Sequence, residues 1–427
     1  MRGVLPMDPY ADPSYLKKLR RLIGIIKENK DKLNVYVPKR LLFFKFAAHS
    51  SGTMLGQQQT YKYSLLDMLR IFDMGSKMVE ELLGHKRGRL LFIGNRGASS
   101  AIFVKFAKIA GFLRRKYTAF YTDDLVRERK KVKGIFDTLF MPLISFVKIT
   151  KHCNLKEHTH EGTWTILGGD YVGESFYRYA LENVNGNVAS FYAATECPAM
   201  GIGFPERDEY VLFPAIYIPT IITESGEIID ILPENKDSAN NTTGELAVTV
   251  DWNGFRCIRY RLGDIIKIKD FPYAKFIGRT TSAPIKIVFR GIELTIRHAY
   301  RFKVRDLWFN SLQIDSLPYP TIALVEEKGR NAIFFVNAKQ PSIKWISALK
   351  SIAYGFYQDA VELGIMKIYT VFDPNIFEEF WSAVQRGRDQ ATVSRIIITE
   401  SCSEIIDAIS EKIKPLDEII RIGGTQN

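Results

Sequence analysis

Short apolar strands alternate with amphipathic helices between residues 89 and 191, and this alternation constrains the fold more than any other feature. The predicted strands are residues 89–93, 164–167 and 188–191, and the predicted helices are residues 101–112 and 174–183. Strands and helices that alternate in this way are typical of α/β folds. The sequence therefore predicts an α/β unit in this part of the chain.

The pattern changes after Pro205. From residue 210 to residue 268 the chain carries β-branched residues in short runs separated by turn residues, which predicts antiparallel hairpins. One of the turns contains Asn253-Gly254, a pair that favours the primed turn types. Beyond Gly278 strands alternate with helices again. Because 427 residues exceed the size of one typical core, we expect two domains, residues 1–278 and residues 279–427.

The N-terminal part is predicted to contain two helices and a strand. Apolar residues recur at helical spacing from residue 14 to about residue 34 and again over residues 63–83. Gly84 is a suitable C-cap for the second helix. A short apolar strand, residues 41–44, stands between them and leads into a loop of serine, glycine and threonine.

The net charge of +12 indicates attraction to polyanions, so a nucleic-acid-binding protein is one alternative. Its affinity would fall steeply with salt. The basic run at residues 127–133 has no interleaved aromatic residues for base stacking, and we interpret it as a solvated helical face. His152-Cys153 with His158 and His160 lacks a known zinc spacing, so we interpret this segment as a polar loop.

The cysteines and the apolar stretches bear on the compartment. The four cysteines include no CxxC pair, which is typical of a reducing compartment. The longest apolar stretch, residues 135–147, is too short to span a bilayer and is interrupted by Asp137 and Pro142. The first 15 residues contain prolines and acids where a signal peptide has an apolar core. We predict a cytoplasmic protein with no membrane partner, and the oligomeric state stays open.

Two segments suggest a phosphate site. Ser50-Ser51-Gly52-Thr53 offers hydroxyls and glycine N–H groups that suit phosphate oxygens. Farther along, a predicted strand delivers Tyr192 with an aromatic ring for adenine, Thr195 with a hydroxyl for the α-phosphate and Glu196 with a carboxylate for Mg²⁺. Magnesium is usually held by one or two carboxylates together with substrate phosphates. Each segment alone is equally compatible with an ordinary turn or strand end.

Two later segments add to this pattern. Asp264 follows Gly263 at the predicted end of a strand, where a carboxylate is placed to accept both hydroxyls of a ribose, as an acidic residue does in dinucleotide folds. Arg279 follows Gly278 at the predicted domain boundary, which predicts a basic hinge. An ordinary basic linker is the alternative for this last segment.

In this order the four segments resemble the adenylate-forming enzyme superfamily. The nearest resemblance is to the auxin-responsive acyl-acid amido synthetases, with the phenylacetate–CoA ligases as nearest cousins. Gly244-Glu245-Leu246 precedes the ribose segment as the family's Gly-Glu-Leu strand does, and Gly168-Gly169-Asp170 stands where the superfamily often has Gly-Gly-Glu. The closing segment, residues 372–397, is similar to that of the amido synthetases, and the resemblance spans about residues 41–398.

The resemblance implies a fold, a set of site residues and a reaction. The fold is a large N-terminal adenylate-forming domain of mixed sheets flanked by helices, with an antiparallel β subdomain, and a small mobile α+β C-terminal domain. The implied nucleotide-binding residues are Ser50, Ser51, Gly52, Thr53, Gly169, Tyr192, Ala193, Ala194, Thr195, Asp264 and Arg279. The implied catalytic residues are Thr195, Glu196 and Arg279, and the implied magnesium ligands are Glu196 and Thr53.

The implied reaction is the ATP-dependent activation of a small carboxylic acid to an acyl-adenylate with release of pyrophosphate. The acyl group then passes to an amine or amino acid, or, in the CoA ligase alternative, to CoA. The sequence departs from the family pattern at Met54 and Gln58 in the phosphate loop and at Thr392 in the closing segment. Lys412 and Lys414 are the only late lysines, and neither has the expected glycine-containing context. A non-catalytic ATP-binding relative is therefore a further alternative.

Overall fold

The structure is a computed structural model of the 427-residue chain. It describes residue 10 and residues 13–41, 46–49, 60–84, 88–94, 100–113, 117–127, 133–150, 152–169, 172, 174–279, 285–298, 321–326, 331–337, 367–386 and 396–415. Several predictions fall outside these residues, namely those on residues 50–59, on Asp170 and on Thr392. Of the described residues, those up to Arg279 form one compact unit and those from Ile285 onward form a second.

The described residues form eight α-helices. They are α1 (Pro13–Glu28), α2 (Leu65–Leu83), α3 (Ser100–Leu113), α4 (Thr122–Arg127), α5 (Leu143–Thr150), α6 (Glu174–Asn183), α7 (Pro374–Arg386) and α8 (Ser403–Ala408). No helix among the described residues is long and apolar enough to cross a membrane. Gly84 ends α2 in the left-handed conformation, at φ +61°, which confirms the predicted C-cap.

The first unit is built on a sheet of 13 described strands. They are β1 (Val35–Pro38), β4 (Leu90–Gly94), β5 (Tyr117–Tyr121), β6 (Thr138–Pro142), β7 (Trp164–Gly168), β8 (Asn187–Tyr192), β9 (Gly201–Phe204), β10 (Glu209–Leu212), β11 (Ile218–Thr223), β12 (Ile228–Asp230), β13 (Thr243–Asp251), β14 (Phe255–Asp270) and β15 (Tyr273–Arg279). A separate hairpin pairs β2 (Phe46–His49) with β3 (Thr60–Tyr63).

One half of this sheet is parallel and the other half is antiparallel. The parallel strands lie in the order β5-β4-β6-β7-β8, and α3, α4, α5 and α6 are the crossovers between them. From β8 the sheet continues through β9, β10, β15, β14, β13, β11 and β12, with antiparallel pairing throughout. Both the α/β unit and the antiparallel hairpins predicted from the sequence are confirmed.

The second unit has a mixed sheet of its own. Its strands are β16 (Ile285–Phe289), β17 (Ile292–His298), β18 (Thr321–Glu326), β19 (Asn331–Val336), β20 (Lys367–Val371), β21 (Ile396–Thr399) and β22 (Ile413–Pro415). They lie in the order β16-β17-β21-β18-β19-β20-β22. The rings of Phe335 and Phe380 stack at 4.3 Å and join α7 to the core of this sheet. The predicted α+β architecture of the C-terminal part is thus confirmed.

Helix α1 is shorter than the sequence pattern predicts, and a residue of a distant strand binds the chain just beyond its end. The helix ends at Glu28 rather than near residue 34. Nη1 of Arg259 donates hydrogen bonds to the carbonyls of Asn29 at 2.7 Å, Lys30 at 2.8 Å and Lys32 at 3.0 Å. These three carbonyls follow the last helical residue, so the bonds from Arg259 stabilise the chain just after it leaves the helix.

A buried carboxylate closes the β13–β14 hairpin. Asp251 accepts hydrogen bonds from Nζ of Lys39 and from Nε of Arg256, the latter at 2.9 Å, and its side chain is 2% exposed. Burial by itself raises the pKa of Asp251, but the hydrogen bonds and charges of Arg256 and Lys39 outweigh it and hold the pKa below its usual value. The ionised form therefore stabilises the folded chain.

This arrangement predicts a pH dependence of stability. Because the folded-state pKa of Asp251 is lowered, its contribution is complete above the unfolded-state pKa of about 3.9 and is lost as the pH falls through that value toward the folded-state pKa. We expect Asp251→Asn to have a lower urea midpoint of unfolding than the wild type at pH 7 and at pH 5. At pH 3.5 we expect the difference between the two midpoints to be smaller. A difference in midpoint that stayed constant with pH would contradict the conclusion that ionised Asp251 stabilises the folded chain.

Candidate active site

Two of the sequence-predicted segments follow neighbouring parallel strands at the same edge of the sheet. Gly169 comes directly after β7, is exposed and has φ +80°. Tyr192 is the last residue of β8, and residues 193–196 follow it. Ligands of open α/β sheets bind at the carboxyl ends of the strands. This edge of the parallel half is therefore the first candidate for a binding site.

The loop after β8 is a tight turn that buries its carboxylate. The N–H of Ala194 donates to the carbonyl of Cys197 at 3.0 Å, and the N–H of Cys197 donates to the carbonyl of Ala194 at 3.1 Å. Ala193 is exposed, Ala194 and Thr195 are half-buried, and Glu196 is only 8% exposed. The turn thus presents a small exposed backbone segment beside a nearly buried carboxylate.

Two side chains from other elements fix the backbone of this turn. The hydroxyl of Tyr63, at the end of β3, donates to the carbonyl of Thr195. Nε1 of Trp252 donates to the carbonyl of Glu196 at 2.9 Å. Both donors are buried, so the two predicted catalytic residues Thr195 and Glu196 are held in place by their main chain.

The turn that carries Trp252 does not have the predicted primed geometry. Neither Asn253 nor Gly254 has a positive φ, which a type I′ turn requires at both positions. A side chain at Gly254 would place its Cβ 1.8 Å from the carbonyl oxygen of Lys62, so the glycine is needed for close approach to β3. The N–H of Asn253 also donates to both carboxylate oxygens of Asp67 at 3.2 Å. Tertiary contacts, rather than local turn preference, decide this conformation.

Asp67 belongs to the N-terminal cap of α2. Ser64 and Asp67 form a reciprocal capping box, in which the N–H of Ser64 donates to Asp67 at 2.9 Å. The same carboxylate is fully buried and holds the turn of Trp252. The start of α2 is therefore connected through that turn to the main chain of Glu196.

Buried tyrosines surround the carboxylate of Glu196. Burial, followed by the charge of Glu196, raises the pKa of Tyr61 and of Tyr63 far above the ordinary value. The hydroxyl of Tyr61 donates to that of Tyr260 at 3.1 Å, and burial together with the charge of Glu196 raises the pKa of Tyr260 to about 12. All three side chains therefore stay protonated at neutral pH.

One carboxylate suits a particular mode of magnesium binding. Among the described residues, no group of three or more histidine, cysteine, aspartate or glutamate side chains is placed to hold a metal ion. Magnesium in nucleotide enzymes needs no such cluster, because one or two carboxylates act together with the substrate's phosphates. Glu196, which follows the carboxyl end of a parallel strand, fits that mode.

The predicted adenine and ribose residues are in direct contact. The hydroxyl of Tyr192 donates to Oδ2 of Asp264 at 2.8 Å, and both side chains are buried. Their strands, β8 and β14, are four strand positions apart along the sheet, which in a flat sheet amounts to about 19 Å. The sheet must therefore curl strongly. The ring of Phe276 on β15 fills the intervening space, with its centroid 4.6 Å from that of Tyr192.

Asp264 does not lie at a strand end, as the sequence predicts, but in the middle of β14. The pairing of β14 with β13 is irregular at this point, and Gly263 has φ +78°, a conformation that glycine adopts without strain. A bulge of this kind redirects the side chains beside it. The bulge, rather than the end of the strand, delivers the carboxylate to Tyr192.

The remaining predicted residues stand as follows. Arg279 is the last residue of β15, and its backbone is paired in register with Asp264. The side chain of Arg279 and the whole of Ser50, Ser51, Gly52 and Thr53 lie outside the described residues. The described site thus contains Gly169, Ala193, Ala194 and Thr195 near the strand ends, together with Tyr192, Glu196 and Asp264.

Sequence reasoning missed the residues that support the site. Tyr61 and Tyr63 alternate with exposed Lys62 on β3, and this alternation is a visible sign of a half-buried strand. Trp252 precedes an Asn-Gly pair and therefore looked like part of a solvent-facing turn. Nothing in the local sequence of these residues indicates that they contact the turn after β8, because those contacts join segments far apart in the chain.

No protein-family model matches the chain, and no curated protein matches it. Solved structures do. The ATP-bound MatB of Rhodopseudomonas palustris has 15% sequence identity and a TM-score of 0.40, over 71% of this chain and 60% of its own. The amide bond synthetase McbA of Marinactinospora thermotolerans has 13% identity and a TM-score of 0.43, over 79% and 68%.

A third match is the o-succinylbenzoate CoA synthetase of Bacillus subtilis, in complex with its acyl-adenylate intermediate. It has 14% identity and a TM-score of 0.44, over 77% of this chain and 65% of its own. The chain spans less than two thirds of the length of the first and third of these proteins. Likeness at this level assigns no activity to this chain, whose chemistry follows from its own residues.

Proposed function

We propose that this chain activates a small carboxylic acid with ATP and transfers the acyl group from the resulting acyl-adenylate to an amine or amino acid. In the transfer the amine nitrogen bonds to the acyl carbon, the bond from that carbon to the phosphate oxygen breaks, and AMP and a proton leave. The observation that carries the proposal is the hydrogen bond between Tyr192 and Asp264. An aromatic ring and a carboxylate from distant strands meet beside the turn that holds Thr195 and Glu196. These groups match, one by one, the adenine, ribose and phosphate parts of a nucleotide.

In the proposed first step a carboxylate oxygen of the acid forms a bond to the α-phosphorus of ATP. The bond from that phosphorus to the bridging oxygen breaks, and pyrophosphate leaves with the electron pair. Displacement at phosphorus depends mainly on positioning and charge neutralisation. In our proposal Thr195 donates a hydrogen bond to the α-phosphate, and Ser50–Thr53 hold the leaving pyrophosphate.

The other described residues orient the nucleotide. Asp264 accepts hydrogen bonds from the ribose hydroxyls while Tyr192 lies against adenine. Glu196, with Thr53, holds Mg²⁺, which when bound neutralises charge on the phosphates. We propose that residues 1–278 form this nucleotide- and acid-binding domain, that residues 279–427 form a separate smaller domain, and that Arg279 at their boundary contributes positive charge to the reaction.

We further propose that the reaction takes place in the cytoplasm. In support of this, all four cysteines are free, among them Cys197 and Cys257, which are both buried close to Glu196. Free buried cysteines suit a reducing compartment.

The deciding experiment is ATP–pyrophosphate exchange with Mg²⁺ across a panel of aryl, aliphatic and fatty acids. We expect at least one acid to stimulate exchange. The accepted acid is then incubated with amino acids, simple amines or CoA, and mass spectrometry identifies the product. An amide supports the proposal, and a thioester alone replaces it with the CoA ligase alternative. ATP binding without exchange for any acid would establish a non-catalytic relative.

A substitution tests the ribose assignment separately. Asp264→Ala removes the charged acceptor, and loss of hydrogen bonds to a charged group, worth about 1.5–3 kcal/mol, should weaken ATP binding about 10–100-fold. Asp270→Ala, at the exposed end of the same strand, is the matched control and should leave binding unchanged. Calorimetric titration of both variants with Mg–ATP checks the prediction, and equal affinities would contradict it.

A further inference from the structure

A carboxylate on the neighbouring strand binds the bulge that delivers Asp264. Glu245 on β13 pairs with Ile265 on β14, whereas Ala247 pairs with Arg261. Between these two pairs β13 advances by two residues, whereas β14 advances by four. The two extra residues of β14 form the bulge. A bulge of this size leaves backbone groups outside the regular ladder, and they need other partners.

Glu245 supplies those partners on both sides of the bulge. Its Oε1 accepts from the N–H of Gly263 at 3.2 Å, and its Oε2 accepts from Nε of Arg261 at 2.9 Å and also from Nη2 of Arg261. The side chain of Glu245 is 6% exposed. One buried carboxylate thus binds two residues of the bulge. It accepts from the main-chain N–H of Gly263, directly before Asp264, and from the side chain of Arg261, three residues before Asp264. We refer to Glu245, Arg261 and the N–H of Gly263 as the clasp.

The clasp acts on the residue that most needs a fixed backbone. Gly263 has φ +78°, and glycine has more conformations open to it than any other residue. Without Glu245 the N–H of Gly263 loses its hydrogen bond to Oε1 of that residue, which removes one constraint on the backbone directly before Asp264. The hydroxyl of Tyr192 occupies one acceptor position on Oδ2 of Asp264. A carboxylate has about four such positions, so the orientation of Asp264 decides which of them can face ribose hydroxyls.

We propose that Glu245 is a positioning residue that orients Asp264 toward the ribose hydroxyls of the nucleotide. This inference rests on the proposed function, because it assumes that Asp264 binds ribose. The role differs from that of an ordinary stabilising ion pair. An ion pair that only stabilises the fold affects all ligands alike, whereas the clasp affects the part of nucleotide affinity that comes from the ribose hydroxyls.

The chain offers a matched control on the same strand. Arg259 also makes a two-pronged ion pair, with Nε 2.9 Å from Oδ1 and Nη2 2.7 Å from Oδ2 of Asp230. Asp230 accepts a further hydrogen bond from Thr220. Neither Arg259 nor Thr220 belongs to the bulge. Asp230→Asn therefore disturbs a second bidentate arginine–carboxylate pair, whose arginine is two residues from Arg261, while leaving the clasp intact.

The experiment compares the affinities of the full-length chain for Mg–ATP and Mg–3′-deoxy-ATP, by calorimetric titration. The wild type is expected to bind ATP more tightly. In Glu245→Gln the ATP affinity should fall about tenfold, the size of a hydrogen bond to a charged group, and the preference for ATP should shrink toward that of Asp264→Ala. Arg261→Lys, which keeps the charge but not the two-pronged contact, should fall between wild type and Glu245→Gln. Asp230→Asn should keep the wild-type preference.

The outcomes separate this inference from the proposed function. If the wild type prefers ATP and Asp264→Ala loses that preference while Glu245→Gln and Arg261→Lys retain it, the positioning role is wrong and the ribose site stands. If the wild type binds neither nucleotide, or binds both equally, the ribose assignment fails and the positioning role fails with it. Thermal melting of each variant identifies one that has not folded, and Arg261→Lys, whose side chain is 42% exposed, then provides the measurement.

Discussion

Replacing Glu196 by glutamine is expected to reduce ATP–pyrophosphate exchange by about 10²–10³-fold, the usual cost of removing one group that stabilises a transition state. Glutamine has the same size, and the hydrogen bond from Trp252 to the backbone carbonyl of residue 196 does not depend on the side chain. The change therefore removes a charge while keeping the turn. Among buried tyrosines that stay neutral, the amide has no charge with which to hold Mg²⁺ at the phosphates.

The control for this prediction is Glu234→Gln, because the side chain of Glu234 is 52% exposed. It should exchange pyrophosphate at the wild-type rate. Rates are measured at several Mg²⁺ concentrations. A Glu196→Gln variant that matches the wild type at every concentration would remove Glu196 from the proposed site, whereas partial recovery at high Mg²⁺ would support its role as a ligand.

Replacing Arg259 by alanine is expected to destabilise the first unit by about 3–5 kcal/mol, the usual cost of removing one partner of a buried ion pair. Arg259 is 3% exposed. The substitution leaves the carboxylate of Asp230 without its two-pronged partner and the carbonyls of Asn29, Lys30 and Lys32 without their donor. It also places alanine at φ +42°, a conformation that is costly for any residue with a Cβ.

Urea unfolding followed by tryptophan fluorescence measures this effect. Arg256→Ala is the comparison, since Asp251 keeps its bond to Lys39 in that variant and Arg256 is 30% exposed. It should cost about 1 kcal/mol, as expected for a partly exposed pair. Equal losses in the two variants would show that the bonds from Arg259 to the carbonyls of residues 29, 30 and 32 contribute little to stability.

The sequence predicts elements well where local pattern and tertiary contacts agree. Helix α6 has the predicted bounds, and Gly84 caps α2 as expected. The α/β unit and the hairpins that follow it are also present. In these regions apolar periodicity and turn residues point to the same structure that the packed core selects.

The predictions that fail concern segments whose conformation depends on contacts with residues far away in the sequence. Helix α1 ends before the segment whose carbonyls bind Arg259, a residue 230 positions from Asn29. Gly254 avoids the primed turn because the carbonyl of Lys62 lies where a side chain would be. Asp264 lies in a bulge that depends on Glu245 rather than at a strand end. Propensity and spacing describe neighbours in sequence, and none of these three partners is a neighbour.

The same limit applies to the candidate site. The residue types at Tyr192, Glu196 and Asp264 are visible in the sequence, and their roles remain predictions. The supporting residues Tyr63 and Trp252 are not visible, because a hydroxyl or indole donor has the same appearance in the sequence whether it faces water or a backbone carbonyl. Local sequence thus indicates which groups carry out chemistry, and only the fold shows which groups hold them.

The curl of the sheet that joins Tyr192 to Asp264 has a consequence for the order in which the chain folds. The two residues are 72 positions apart and belong to the parallel and antiparallel halves of one sheet. During synthesis the parallel half emerges first, but Tyr192 can bond to the carboxylate of Asp264 only after β14 has paired. On the proposed function, a nucleotide that binds only the completed arrangement would stabilise it by mass action, and ATP would then favour chains whose two halves have already paired.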